Sequence, residues 1–572
     1  MRRFASNLLL ALTAAAPLAA ATPAHACGGF FRAETPVDQS AQRMIFKRLT
    51  ASRIEAYFEI RFSGDARSFA WVLPVPGNPQ DKATVDVAVF EQLDVATAPQ
   101  VTQPVVCLAN NAPPGEFSDA GIDSGGGEGP PGDEPPRVTV LDREVVGAYD
   151  TVTLAAETGA DLVTWLRDNG FRVTDEMVPF VDLYIGQGLN FLAVKLVPEA
   201  GVDGIQPLKM TYDARGPMVP LKLASIAAQP ETGVKIFYLG DTRVTPSNTP
   251  ELTVPTGHLA FDHATQTGNW PAAVARTIDD GGGRGLVVDF AGPSNLVRTT
   301  AEENPLGDAD GNAEPVRTAF EALLTGAPYV TRFYARYSPE EMGVDLAFEA
   351  APNLGDVERI RTLPEISCDT SPPPVDPCDF QACGLGGYCV LTTDATGAQV
   401  PACACVDGAA ARAVRDDVAP GGLRVSCVDV RINVDPIELP EQLIDSPPPV
   451  GPPLLDPCAA NPCGDNGECF ALNGHQTCLC ERGYVAVAVE DGKGGLAATC
   501  RVPDQDVPDD FYRRRLPEPR LPYPRGAGGG SATATLSDDG CTQGAPDRGA
   551  RHAAWALLLA LPLVLRRRGR RD

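Results

Sequence analysis

Cysteine is nearly missing from the first 350 residues: of 16 in the chain, only Cys27 and Cys107 lie there. That stretch cannot be a disulfide scaffold and must rely on its own hydrophobic core. Positive charge is scarce too. Against 74 Asp and Glu stand only 47 Lys and Arg, a formal net charge of −27 on 572 residues. This balance argues against nucleic acid and against an anionic lipid surface as partners of the main body. Histidine is the third shortage, with 5 in all and only His258 and His263 in the mature front half. No G-x-S-x-G elbow and no H-E-x-x-H occurs, so the local signatures of serine hydrolases and zinc proteases are missing.

What is present is proline (54) and glycine (56), above average usage. Some of the chain is therefore linker, while its length allows two to four folded units. Residues 1–26 read as an export signal. Arg2 and Arg3 form a charged head, an apolar stretch starts at Leu8, and Ala24-His25-Ala26 supplies small residues for cleavage after Ala26. A lipoprotein alternative would make Cys27 the first residue. The segment 110–136, rich in Gly, Pro and acids, reads as a solvated loop.

In the front half, "RIEAYFEIRF" places Ile54, Ala56, Phe58, Ile60 and Phe62 on one face, the period-two pattern of a half-buried strand. "SFAWVLPVP", "VTVLDREVVGAYDTVTL", "NFLAVKLVP", "QPLKMTYDA", "MVPLKLASIAA", "VKIFYLGD" and "YVTRFYARY" also read as strands. Helices are expected at "VFEQLDVAT", "GADLVTWLRDNG" and "AEPVRTAFEALL", at "DEMVPFVDLYIGQG" with an interruption at Pro179, and from Ser338-Pro339-Glu340-Glu341. The expected fold is α+β, a mostly antiparallel β body with a few helices. "CGGFF", "TPVDQSAQRMIF", "FAWVLPVPGNP", "NFLAVKLVP", "GIQPLKMTYDARGPMVPLKL" and "YVTRFYARYSPEEM" occur in that order and resemble the bacterial domain-of-unknown-function family 2330 over about residues 27–350. The resemblance implies an exported envelope domain and no particular activity. The family often has a second cysteine soon after "CGGFF"; here Arg32 stands in that region, leaving Cys107 or Cys368 as partners for Cys27.

Three stretches invite a chemical reading. His258 and His263 flank Asp262, but a five-residue separation suits no helical ligand face, and loop histidines are expected. "DADGN", Asp308 to Asn312, opens like a calcium loop, yet Ala313 and Ala319 stand where glycine and the bidentate glutamate belong. "DDGGGRG", Asp279 to Gly285, lacks the lysine of a phosphate loop and reads as a flexible turn. No cofactor or metal is expected.

Twelve cysteines lie between Cys378 and Cys500. The spacing C-x4-C-x5-C-x13-C-x-C-x21-C is followed by C-x4-C-x5-C-x8-C-x-C-x19-C, a tandem duplication. Units this small need cross-links, since they cannot bury enough core. "NPCGDNGEC" with "CLCERGY" resembles an epidermal-growth-factor-like module, and the first unit is a looser match. The resemblance implies pairs Cys378–Cys389, Cys383–Cys403 and Cys405–Cys427, then Cys458–Cys469, Cys463–Cys478 and Cys480–Cys500. Such modules act as spacers or contact surfaces.

The domain order is thus a signal peptide (1–26), an α+β body (27–370), modules at 378–430 and 458–502 with proline linkers at 371–377 and 431–457, a Pro/Gly-rich stalk (503–540) and a tail (541–572). In the tail, 14 mostly apolar residues lie between Arg551 and Arg566. As a helix they span about 21 Å, short of the ~30 Å hydrocarbon core. Gly540-Cys541, this run and five closing arginines resemble the myxobacterial C-terminal sorting signal, which implies membrane contact through the tail, cleavage by a sorting protease, and surface display with Cys541 retained. A plain transmembrane anchor is the alternative. The expected function is non-enzymatic: an exported protein, met by signal peptidase, that contacts an envelope, matrix or cell-surface ligand. The rivals are an exported hydrolase using carboxylates of the body and a calcium-dependent adhesin.

Overall fold

The computed structural model describes residues 29–30, 39–59, 70–106, 138–171, 173, 175–197, 205–367, 374–394, 396–416, 418–431, 457–458, 461–472, 475–490 and 495–518. Ala26, Cys27, Cys107, Cys368, Cys541, the loop 110–136, nearly all of the linker 431–457 and the tail 541–572 fall outside them.

Two sheets stacked face to face form the body. The larger has eight strands in the order Glu251–Leu252, Leu286–Pro293, Tyr329–Tyr337, Ala228–Gly240, Gln39–Thr50, Arg53–Glu59, Leu208–Asp213 and Gln80–Thr84. Its neighbours are antiparallel except for Gln39–Thr50 beside Ala228–Gly240, and Glu251–Leu252 beside Leu286–Pro293. The smaller sheet is antiparallel throughout, in the order Gly29–Phe30, Ala70–Val75, Asn190–Leu196, Tyr149–Ala156 and Val138–Val146.

Alternation along each strand decides which layer a side chain joins. Trp71, Leu73, Val75, Leu192 and Val194 face the large sheet and meet Phe46, Phe58, Met210 and Ile236 there. Val72, Phe191 and Ala193 point the other way, into the helices Gly159–Asp168 and Val178–Gly186. Ile45, Tyr57, Phe237 and Leu239 leave the far face of the large sheet and pack under Ala88–Thr97, Ser294–Glu303 and Ala313–Leu324. The result is four layers, helix–sheet–sheet–helix, in an antiparallel-rich α+β fold. Helix Gly159–Asp168 shows why the local signals worked. Thr158 Oγ1 accepts from Asp161 N–H at its start, and Gly170, at φ +78°, turns the chain at its end.

Some expectations change. Strand Arg53–Glu59 reads as half-buried, but Tyr57 and Glu59 on its other face are also buried because helices cover that side. "MVPLKLASIAA" makes only the two-residue strand Met218–Val219 before turning into a helix at Leu221–Ala224. Pro179 lies in the first turn of Val178–Gly186 and starts that helix. Ser338 opens only a 3-10 turn, Pro339–Glu341. The helices Trp270–Asp280 and Ser294–Glu303 were not foreseen.

The twelve rear cysteines form six disulfides, with the pairs that the growth-factor resemblance implies. The two modules interlock through their hairpins. Hairpin 387–405 of the first shares a sheet with hairpin 485–501 of the second through Cys403 and Ala486. Hairpin 409–429 joins 467–480 through Ala411 and Cys478. Both modules therefore enclose one core. Residues 503–518, assigned to the stalk, return to that core: Phe511 and Tyr512 are buried in it, and Asp407 N–H donates to the Tyr512 carbonyl at 3.0 Å. Two adjacent aromatics supply enough apolar surface to fix a proline-rich segment. Among the described residues no helix is long and apolar enough to cross a membrane.

Candidate functional site

Strand Ala228–Gly240 breaks register with Gln39–Thr50 between Ala228 and Gly233. Within that irregularity Glu231 sits at φ +57°, a left-handed conformation that costs an L residue about 1–2 kcal/mol. The bulge turns its carboxylate inward, where the side chain is 0% exposed. Ser338 Oγ–H donates to Glu231 Oε1 at 3.3 Å, whereas Oε2 has no hydrogen-bond donor. Arg336 Nε stands 3.9 Å from Oε2, beyond hydrogen-bond reach.

Two other acids converge on it. Ser338 and Glu341 form a capping box, in which Ser338 N–H donates to Glu341 Oε2 at 2.7 Å. That bond pins the carboxylate and leaves Oε1 buried without a donor. Asp279 lies in the last turn of Trp270–Asp280, and Gly282 and Gly283, at φ +71° and +72°, fold the following loop back over the acids. A Cβ on Gly283 would come within 2.9 Å of Glu341 Oε1. One oxygen from each of Glu231, Asp279 and Glu341 lies within 4.8 Å of the other two.

The module pair covers this cluster. Arg424 of the first module donates to the Pro230 carbonyl and, at 2.6 Å, to Asp416, which also binds Arg336 of the body. Arg276 donates to the Cys378 carbonyl and Asn269 Nδ2–H to the Asp379 carbonyl, each at 2.8 Å. Leu385 Cδ2 lies 3.3 Å from the position a Gly283 Cβ would take. Burial works to raise the pKa of Asp416, but Arg336 and Arg424 hold it well below the usual carboxylate range. The clustered acids lack such help. Burial, then mutual repulsion, pushes Asp279 and Glu341 well above the ordinary range, and neighbouring Glu340 is pushed up to about 8. Glu231 is raised by burial in spite of Arg424 and Arg336.

The histidines singled out in the sequence do not form a pair. His258 Nδ1 meets Thr277 Oγ1 at 3.1 Å, with Nε2 3.3 Å from Asp280, while His263 Nε2 meets Gln103 Oε1 at 2.9 Å. Asp308 Oδ1 accepts from the N–H groups of Asp310 and Asn312, an acidic turn satisfied by its own backbone. "DDGGGRG", taken for a flexible turn, instead contributes Asp279 and the covering glycines. Glu341 was open to detection through the capping-box spacing. Glu231 was not, because nothing local marks a buried glutamate in a bulge.

A second charged group lies inside the body. Asp94 binds Lys235 and Arg332 at 2.6 Å each, and Arg332 reaches Asp289 at 3.2 Å. Its cations and acids are mutually engaged, as in a structural network. A cavity lined by Met44, Phe58, Trp71 and Leu223 encloses about 20 Å³, room for one water molecule.

No curated protein and no solved structure matches this chain. One family does, described as "Uncharacterized protein conserved in bacteria (DUF2330)", over residues 21–349. That match covers more than half of the sequence and includes all three converging acids, so the chain belongs to that family.

Proposed function

We propose that this is an exported, surface-displayed bacterial protein with a structural or interaction role and no catalytic one. The observation that carries the reading is the six-disulfide module pair fastened to the body by the Arg336–Asp416–Arg424 ion group. Six bridges persist in an oxidising space, outside the cytosol. Fastening makes a fixed head of modules that flexible spacers alone would leave hanging as beads. The acids with the most perturbed protonation lie under that head, and the side chain of Glu231 has no solvent exposure, which weighs against an open hydrolase cleft. Val140, Leu141 and Val145, exposed on the outer strand of the smaller sheet, are the kind of apolar surface a contact partner uses.

Surface biotinylation of intact cells, with mass spectrometry of the labelled chain, tests this reading. Labelling of body lysines is expected, with the twelve module cysteines closed to alkylation until reductant is added. Recovery from the cytosol with those thiols reactive would overturn it.

A further inference from the structure

We infer that Glu231, Asp279 and Glu341 form a binding site for a hard divalent cation, Ca2+ by preference. Their oxygens converge within 4.8 Å, and among them is a glutamate whose side chain is wholly buried, with one oxygen lacking any hydrogen-bond donor. An uncompensated buried carboxylate is costly, and native structures pair it, protonate it or give it a metal. Here Arg336 and Arg424 stand near but give Oε2 no hydrogen bond: Arg336 Nε is 3.9 Å away, both arginines bind Asp416, and Arg424 also donates to Ser426 Oγ and the Pro230 carbonyl. Glu341 cannot turn away, since Ser338 N–H holds Oε2, and its Oε1 is buried without a donor.

The donor set selects the ion. Carboxylate oxygens without histidine or thiolate favour a hard cation over zinc or copper. Three acids from a bulge, a helix end and a 3-10 turn form an irregular set, which suits the variable coordination of Ca2+ better than the strict octahedron of Mg2+. Asp279 and Glu341 are residues of intermediate burial, although Glu341 Oε1 is itself buried, so a bound ion would sit in an enclosed site. Because all three lie beneath the module pair, a bound ion would tie together the body segments on which the modules rest. The left-handed backbone of Glu231 fits this role, as such strain gathers at ligand sites.

The test uses the full chain with its disulfides intact, CaCl2 or MgCl2 as the only added ligand, and chelator-treated protein as the start. Calorimetric titration is expected to show one saturable Ca2+ site, with Kd of about 10⁻³ M or tighter, and a matching rise in Tm that chelator reverses. Mg2+ should bind at least tenfold more weakly. Asp279→Asn and Glu341→Gln should each weaken Ca2+ at least tenfold while circular dichroism and disulfide content stay unchanged, and Asp308→Asn should leave it unaltered. These two half-buried positions keep the test valid if Glu231→Gln fails to fold. No saturable binding overturns the inference, as does binding that survives both amide variants or is lost in Asp308→Asn. Amide variants that raise Tm in a protein blind to Ca2+ would show instead that the acids share protons, and would overturn it equally.

Discussion

In the body, Phe46, Phe237, Phe290 and Phe333 are at most 1% exposed, and four layers of strand and helix close around them. In the module pair the interior is built mainly of small residues among the half-cystines, Ala402, Ala404, Ala411, Ala486 and Ala498 with valines such as Val425 and Val485, and Phe511 and Tyr512 are its buried aromatics. Burying a phenylalanine contributes roughly 1.5–3 kcal/mol, and an alanine far less. The modules make up the shortfall covalently, at roughly 2–4 kcal/mol per bridge. One region excludes water with large side chains and the other restricts its unfolded chain, so the two should respond to different insults.

Reduction should separate them most sharply. With six bridges opened, the modules are expected to unfold and be digested by protease, while the body keeps its circular dichroism and a fragment ending near residue 367 survives. Joint collapse would mean that the body depends on its cover. Next in size, Phe333→Ala should cost about 3–5 kcal/mol. It should lower the unfolding transition of the body in calorimetry and leave the oxidised modules unaffected. Asp416→Ala strands Arg336 and Arg424 at the seam, a loss of about 3 kcal/mol. It should loosen the modules without reduction, seen as faster hydrogen exchange in 423–429, and replacing Arg336 and Arg424 as well by methionine should recover much of it.

The smallest effect concerns acid. Arg332, Lys235 and Arg43 face Asp94, with Asp289 behind Arg332, and they hold the Asp94 pKa below the carboxylate range although burial opposes them. A depressed pKa stabilises the fold above the unfolded value near 3.9 and loses that contribution as pH falls through the folded one. The body should therefore weaken below about pH 4, and Asp94→Asn should flatten that limb in urea titrations carried from about pH 5 down to about pH 2.

Particular elements show how far reading residues in order could go. Helix Gly159–Asp168 was legible because its cap and its apolar face are nearest-neighbour matters. Trp270–Asp280 carries comparable marks, Pro271 in its first turn and Gly281 after its last, but it is short and follows directly on a loop with no N-cap side-chain bond to announce it. The strand assigned at "MVPLKLASIAA" failed because a short apolar run has no period of its own and takes the shape its surroundings allow. Of the site, the Ser338–Glu341 box was readable and the glycines after Asp279 were visible with the wrong meaning.

Cysteine spacing, strand alternation and charge balance specified the split into a core-built front and a cross-linked rear, since each acts through bonds or contacts a few residues apart. Three acids drawn from positions 231, 279 and 341, and two modules exchanging hairpins, arise from pairings between distant strands. Those pairings depend on how buried surfaces fit one another, and no short stretch of chain contains that information.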